Sequence, residues 1–307
     1  MSSMFAGIIL LFVGLTCFLC GLFVMRWALC LLLHSHTKNL LSKLSNSPIK
    51  GLMLGVLLTA ILQSSSVVLV LIINFVSIGV LPLANGIAIV LGANLGTTLT
   101  LELIAMTDTT WILICLLFTC CSFVIPRYRL LGTVTFGLAL IFIGFYFMKQ
   151  NASVITNFDW LVVPFHNSSN SVYALMFGII FTAIVQSSTA ATAFAMSLVE
   201  SNVITLLSGI LIVYGSNIGT CMTAIIAAIG ASVHAKKIMA YHILVNFLSV
   251  VLLLPCVAII TDIITLISSS PSQQIAHSQV LFNLLTIAIF YPMIHHNLRW
   301  LERLNWR

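Results

Sequence analysis

Charge is what this chain of 307 residues has least of: six acidic and twelve basic side chains make up 6% of it. A water-soluble globule carries roughly 25% charged residues, so this composition excludes one. No nucleic-acid partner is expected. Metal-ligand spacing is missing as well. The eight cysteines lie in apolar segments, with Cys17 and Cys20 inside the first of them, and have no His or acidic neighbours at ligand spacing. They read as small packing residues of a membrane interior.

What remains is 61% hydrophobic, in runs that recur to the C-terminus and outlast any cleaved leader. The solvent of this chain is a bilayer, and the expected fold is an all-α polytopic membrane protein, with residues 1–307 forming a single transmembrane domain. Spans are expected at about 4–33, 82–105, 110–125, 130–149, 203–231, 238–260 and 274–298, each near the roughly 20 residues a bilayer requires.

Two segments depart from that pattern, and they are copies. Thr59 to Ser66, with Gln63-Ser64-Ser65-Ser66 at its end, returns 123 residues later as Thr182 to Thr189, ending Gln186-Ser187-Ser188-Thr189. The same offset carries Gly55 onto Gly178, Gly92 onto Gly215, Asn94 onto Asn217, Gly96 onto Gly219 and Thr97 onto Thr220. An internal repeat follows, with copies at 46–125 and 169–260. In 51–80 and 172–200 the polar quartet splits an apolar stretch into arms of about a dozen residues, too short to cross but sized for a re-entrant helical hairpin with the quartet at its tip.

Charge placement agrees. With the N-terminus outside and each hairpin returning to its own side, Arg26, Lys38, Lys43, Lys50, Arg127, Arg129, Lys236, Lys237, Arg299, Arg303 and Arg307 all fall on the cytoplasmic face. Only Lys149 falls outside, with Asp108, Asp159, Glu200 and Asp262. Reading each quartet segment as one long crossing would move Arg127 and Arg129 outside. Three crossings separate the hairpins, so the second repeat is expected upside down relative to the first, as in many secondary transporters.

Each repeat then offers a second polar element, Gly92-Ala93-Asn94-Leu95-Gly96-Thr97-Thr98 and Gly215-Ser216-Asn217-Ile218-Gly219-Thr220, inside an apolar span. Glycine tolerates unwound backbone, and unwinding in a membrane is tolerable where it lines a cavity or binds an ion, so an interrupted helix is expected in each copy. Close helix packing of the small-xxx-small kind is the alternative. Serine hydroxyls, Gln amides and helix N-termini suit an oxyanion, while carboxamide and carbonyl oxygens suit a hard cation. No Lys or Arg is expected at midplane, so a multiply charged anion would need co-bound cations there.

The duplicated quartet, the Gly-Ala-Asn-Leu-Gly-Thr motif and the later stretches from Ala240 to Phe247 and His277 to Asn283 resemble the type II sodium-dependent phosphate cotransporters, from about residue 45 to 292. The resemblance implies a symporter of inorganic phosphate in the cytoplasmic membrane, with Na+ as coupling ion and the two quartets shared between phosphate and sodium. The implied phosphate residues are Gln63, Ser64, Ser65, Ser66, Gln186, Ser187, Ser188 and Thr189. The implied sodium residues are Gln63, Ser66, Asn94, Thr97, Thr98, Gln186, Thr189, Asn217 and Thr220. Ser66 becomes Thr189 and Thr98 becomes Cys221 in the second copy, departures that bear on whether the sodium sites are equivalent. Set beside that resemblance, the chain is expected to be a short form, ending soon after the last span without the cytoplasmic regulatory domain that many bacterial relatives append. A homodimer stays open.

Supporting roles fall to Glu102, the one acid expected within a span, and to His242, Asn246 and Asn283, read as interhelical hydrogen-bonding positions. An intramembrane hydrolase using a quartet serine with His242 or His277 is set aside, because no Gly-x-Ser-x-Gly elbow or other nucleophile signature surrounds the quartets. A sodium-coupled carrier of sulfate or a carboxylate, or a phosphate exporter or sensor on the same scaffold, remains an alternative.

Overall fold

The computed structural model describes residues 2–33, 47–166 and 171–303, which form helices joined by short turns, with no strand among them. Lys38, Lys43 and Arg307, and the first residues of both expected repeats, lie outside the described residues. The chain opens with α1 (Ser2–Leu33) and a helix pair, α2 (Pro48–Leu62) and α3 (Ser65–Ser77). It continues through α4 (Leu83–Gly96), α5 (Thr98–Ala105), α6 (Thr109–Val124), α7 (Arg129–Asn151) and the short α8 (Asp159–His166). A second pair, α9 (Ser171–Val185) and α10 (Ser188–Glu200), is followed by α11 (Leu206–Gly219) and α12 (Cys221–Ala227). The chain closes with α13 (Val233–Leu253), α14 (Val257–Ile267), α15 (Pro271–Phe290) and α16 (Ile294–Arg303). Among these residues five helical stretches are long and apolar enough to cross a bilayer: Met4–Leu32, Leu83–Ala105, Pro126–Asn157, Leu206–Ala227 and Val233–Ile267. The protein is an all-α polytopic membrane protein.

Local chemistry sets the hairpins. Pro48 occupies the first turn of α2 behind Ser47, whose hydroxyl caps the Lys50 amide. Gln63 ends α2 in the left-handed region, and Ser64 at once caps α3. Glycine contacts give the directions. A Cβ on Gly55 would lie 2.1 Å from the Ile89 carbonyl oxygen and one on Gly92 2.0 Å from that of Leu52. Gly51 faces Asn85 and Ala88 at one end and Gly96 faces Thr59 and Ala60 at the other, so α2 and α4 run side by side in the same sense. Gly86 meets Val76 and Ile72, so α3 runs back against α4 and forms a hairpin with α2. The second copy repeats this: Gly178 meets Ile212 and Gly219 meets Thr182, so α9 and α11 run in the same sense, Gly215 approaches the Leu175 carbonyl, and Gly209 meets Val199. α1 packs antiparallel to α7, Gly14 against Gly144 and Gly21 against Gly137.

These contacts correct the expectation about Gly92 and Gly215. Both sit inside continuous helix, and what they provide is close approach to a neighbouring backbone, the small-residue packing alternative. The interruption falls one turn later and is a single residue, Thr97 and Thr220, each with right-handed helical dihedrals. No long stretch of backbone is unwound there. Two spans also break where one was expected. The helix over 238–260 is divided at Pro255 into α13 and α14, and that over 274–298 at Pro292 into α15 and α16, because proline removes a donor and clashes with the preceding turn.

Candidate functional site

The two hairpin tips are built alike. Gln63 has φ 54° and Gln186 has φ 54°, two of the three non-glycine residues with positive φ among those described. That conformation costs a long side chain roughly 1 kcal/mol or more and persists only where the surroundings impose it. The Gln63 amide donates to Thr59 O and the Gln186 amide to Thr182 O, each at 2.7 Å. Ser64 Oγ then accepts from the Val67 amide at 3.2 Å, and Ser187 Oγ from the Ala190 amide at 3.2 Å. Each tip therefore opens a helix whose first-turn amides have no intrahelical partner, a setting that suits an anion.

Each tip lies beside the break in the following helix. Gly96 packs on Thr59 and Gly219 on Thr182. The Thr59 and Thr182 hydroxyls, both fully buried, have no hydrogen-bond partner among the described residues. Thr97 Oγ1 donates to Asn94 O at 2.7 Å, Thr98 Oγ1 to Leu95 O at 2.8 Å and Thr220 Oγ1 to Asn217 O at 2.7 Å. Their protons are committed to carbonyls, which leaves lone pairs free to face a cation.

Tip 1 is more tightly held than tip 2. Gln63 Nε2 donates to Ala60 O, and Gln63 Oε1 accepts from the Thr100 hydroxyl. Ser66 Oγ lies 3.5 Å from Thr223 Oγ1 in the other copy. The side chain of Gln186 is exposed, and those of Ser65, Gln186, Ser188 and Thr189 make no hydrogen bond among the described residues.

The two carboxamides are pinned to later helices. Asn94 Nδ2 donates to Asn246 Oδ1 at 3.1 Å, and Asn246 Nδ2 to His242 O at 2.9 Å, with the buried His242 ring alongside. Asn217 and Gln279 exchange two bonds, 3.1 Å from Asn217 Nδ2 to Gln279 Oε1 and 3.0 Å from Gln279 Nε2 to Asn217 Oδ1. Asn283 donates to Gln279 O at 2.9 Å, one turn behind that pair, and its own oxygen is buried without a partner among the described residues. Glu102 is not alone: its carboxylate sits 2.8 Å from His277 Nδ1, joining α5 to α15. Thr59, Thr182, Thr100, Thr223 and Gln279 were not singled out as site residues by sequence. The 123-residue offset carries Thr59 onto Thr182 and Thr100 onto Thr223, so the repeat held that signal.

A family model described as Na+/Pi-cotransporter matches residues 17–150 and 165–291, which include both tips and both breaks. The chain belongs to the Na+/Pi-cotransporter family. It is 36% identical over 283 residues to the uncharacterized protein YqeW of Bacillus subtilis, covering 90% of this chain and 91% of that one. It is 25% identical over 245 residues to the putative inorganic phosphate export protein YjbB of Escherichia coli, covering 78% of this chain and 45% of the relative. Over 60 residues, 20% of this chain and 9% of the other, it is 40% identical to the sodium-dependent phosphate transport protein 2A of Oryctolagus cuniculus. No solved structure matches the chain.

Proposed function

We propose that the protein is a sodium-coupled carrier of inorganic phosphate in the cytoplasmic membrane, working by alternating access around the two hairpin tips. The observation that carries this reading is the pair of tips itself. Each has a left-handed glutamine and an open helix N-terminus, set against a helix break rich in hydroxyl and carboxamide oxygen. In this reading Gln63, Ser64, Ser65, Ser66, Gln186, Ser187, Ser188 and Thr189 hold phosphate. Sodium is held by oxygens of Gln63, Ser66, Asn94, Thr97, Thr98, Gln186, Thr189, Asn217 and Thr220, with the unpartnered Thr59 and Thr182 hydroxyls as further ligands.

Helix directions support an inverted arrangement of the repeats. Ser66 meets Thr223 at the start of α3 and α12, and Ser77 bonds Ser232 at 3.0 Å where both segments finish. α3 and α12 therefore run in the same sense. Since α3 opposes α2 while α12 continues α11, which runs with α9, α2 and α9 point in opposite directions. The same directions put Lys50, Arg127, Arg129, Lys236 and Lys237 at one end of the molecule and Asp108, Asp159 and the Lys149–Glu200 pair at the other. By the positive-inside rule the first end is cytoplasmic and the N-terminus outside. None of these cations is on a tip, so bound sodium is the charge that balances phosphate.

Uptake of radiolabelled phosphate into proteoliposomes with and without an inward sodium gradient tests the reading. Gradient-dependent uptake is expected, and equal uptake in both conditions would overturn it. Sulfate or a carboxylate as preferred substrate would appear in the same assay by competition. A second direction is favoured by the match to the exporter-named relatives, so efflux from phosphate-loaded vesicles belongs in that experiment.

A further inference from the structure

Away from the tips, α1 and the second hairpin enclose a cavity of about 310 Å³ lined by apolar side chains alone. One wall is an aromatic ladder on the hairpin arms: Phe181 stacks on Phe194 with centroids 5.1 Å apart and on Phe177 at 5.7 Å. The opposite wall is Leu11 and Leu15 of α1 and Val154 after α7. An apolar cavity of ~150 Å³ already stays dry and takes up an apolar guest. This one is about twice that size, and left empty it would deprive its lining of dispersion attraction on one whole side.

Two neighbouring spaces say what the guest is. The cavity shares Ile8 and Phe12 with an apolar groove that runs along α1 to Cys17 and Cys20, and Phe12 is 64% exposed at that mouth. It shares Val154 with a polar niche at the end of α7, lined by Gln150, Asn151, Ser153 and Asn157. A polar niche, a dry aromatic slot and an apolar groove open to the bilayer follow one another at the end of the molecule where α1 begins and α7 finishes. That sequence of environments fits a lipid, with its headgroup at the membrane face and its tail inside.

We infer that the protein binds one membrane phospholipid at a fixed site, an acyl tail in the aromatic cavity between α1 and the second hairpin and the headgroup against Gln150 and Ser153. The Asn151 and Asn157 side chains already donate to Phe147 O and Val154 O, so Gln150 and Ser153, both exposed, are the ends offered to the headgroup. Because the tail lies against both arms of the hairpin, its occupancy stiffens one side of that hairpin. The site does not depend on which ion is carried.

The test is native mass spectrometry of purified, detergent-delipidated protein titrated with a phosphatidylglycerol of 16-carbon tails. One retained phospholipid per chain, above the statistical spread of loose lipid, is expected for the unaltered protein. Leu198→Trp, which fills the cavity from α10, should weaken retention at least tenfold, and Ile8→Trp should do so independently from α1. Gln150→Leu with Ser153→Leu should weaken it severalfold without altering the cavity. Loose lipid only in the unaltered protein would overturn the inference, and so would unchanged retention in whichever tryptophan variant keeps its thermal transition.

Discussion

The Ser66 hydroxyl lies 3.5 Å from the Thr223 hydroxyl although 157 positions separate them in the chain. It joins the tip of the first hairpin to the second copy's broken helix. In a chain stripped of native cysteines, Ser66→Cys with Thr223→Cys should form a disulfide under mild oxidant, seen as a mobility shift. If the tips move against the breaks during transport, the cross-link should stop phosphate flux and reductant should restore it. Full flux in the cross-linked protein would show that this contact persists through the cycle.

Gln63 and Gln186 combine an awkward backbone with an amide at the proposed site, and substitution can separate the two. Glycine relieves the left-handed penalty of roughly 1 kcal/mol, so Gln186→Gly, whose side chain makes no hydrogen bond among the described residues, should melt no lower than the parent protein. Gln63→Gly also gives up the bonds to Ala60 and Thr100 and should gain less or melt lower. Both should lose sodium-driven uptake. Normal uptake by both variants would remove the tips from the site.

Close helix approach predicts stability effects that need no transport assay. A Cβ on Gly55 or Gly178 would stand 2.1 Å from a carbonyl oxygen, whereas one on Gly132 would meet Ser122 Cβ at 3.0 Å and nothing else within 3.4 Å. Gly55→Ala and Gly178→Ala should each cost about 1–3 kcal/mol as the helices are pushed apart. Gly132→Ala should cost much less. Thermal unfolding in detergent, read by tryptophan fluorescence, ranks the three.

The reciprocal amide pair of Asn217 and Gln279 should behave as one unit. Asn217→Ala and Gln279→Ala are expected to be non-additive, with a coupling near the roughly 0.6 to 1.7 kcal/mol measured for hydrogen bonds inside membrane proteins. A double-mutant cycle on unfolding free energy gives the value, and strict additivity would show that the pair is not coupled.

Charge compensation by bound cations predicts that phosphate binds more tightly in sodium even without a gradient. Two helix ends offset roughly one charge at best, and linkage requires phosphate to tighten sodium by the same factor. Calorimetry with sodium replaced by choline at constant ionic strength should show a fall of about five- to 150-fold in phosphate affinity. Equal affinity in both salts would refute the mechanism.

The hairpins were legible in the sequence because hydrogen-bonding quartets inside apolar runs have few places to go in a bilayer, and because duplication marked them twice. Gly92 misleads because a glycine that loosens backbone and one that admits a neighbour look the same in sequence. Only the Leu52 carbonyl, on a different helix, distinguishes them. The pairs Ser66 with Thr223, Asn217 with Gln279 and Glu102 with His277 were hidden for a related reason. Each joins residues tens to more than a hundred positions apart, and no local pattern encodes such a distance. Pro255 and Pro292 were in view, but hydropathy continues across them, so the helix ends they cause do not show in an apolar count.

The unequal grip on the two tips has a consequence for the state that is not seen. In the structure Thr100 holds Gln63 and Thr223 meets Ser66, while Gln186 and Thr189 are unengaged among the described residues. Shifting each residue by the repeat offset turns those two contacts into Thr223 with Gln186 and Thr100 with Thr189. Both threonines would change hands, each leaving the first tip for the second. If the copies are interchangeable, the opposite-facing conformer is this molecule with the two halves wearing each other's contacts, and its signature distances can be written down before it is trapped.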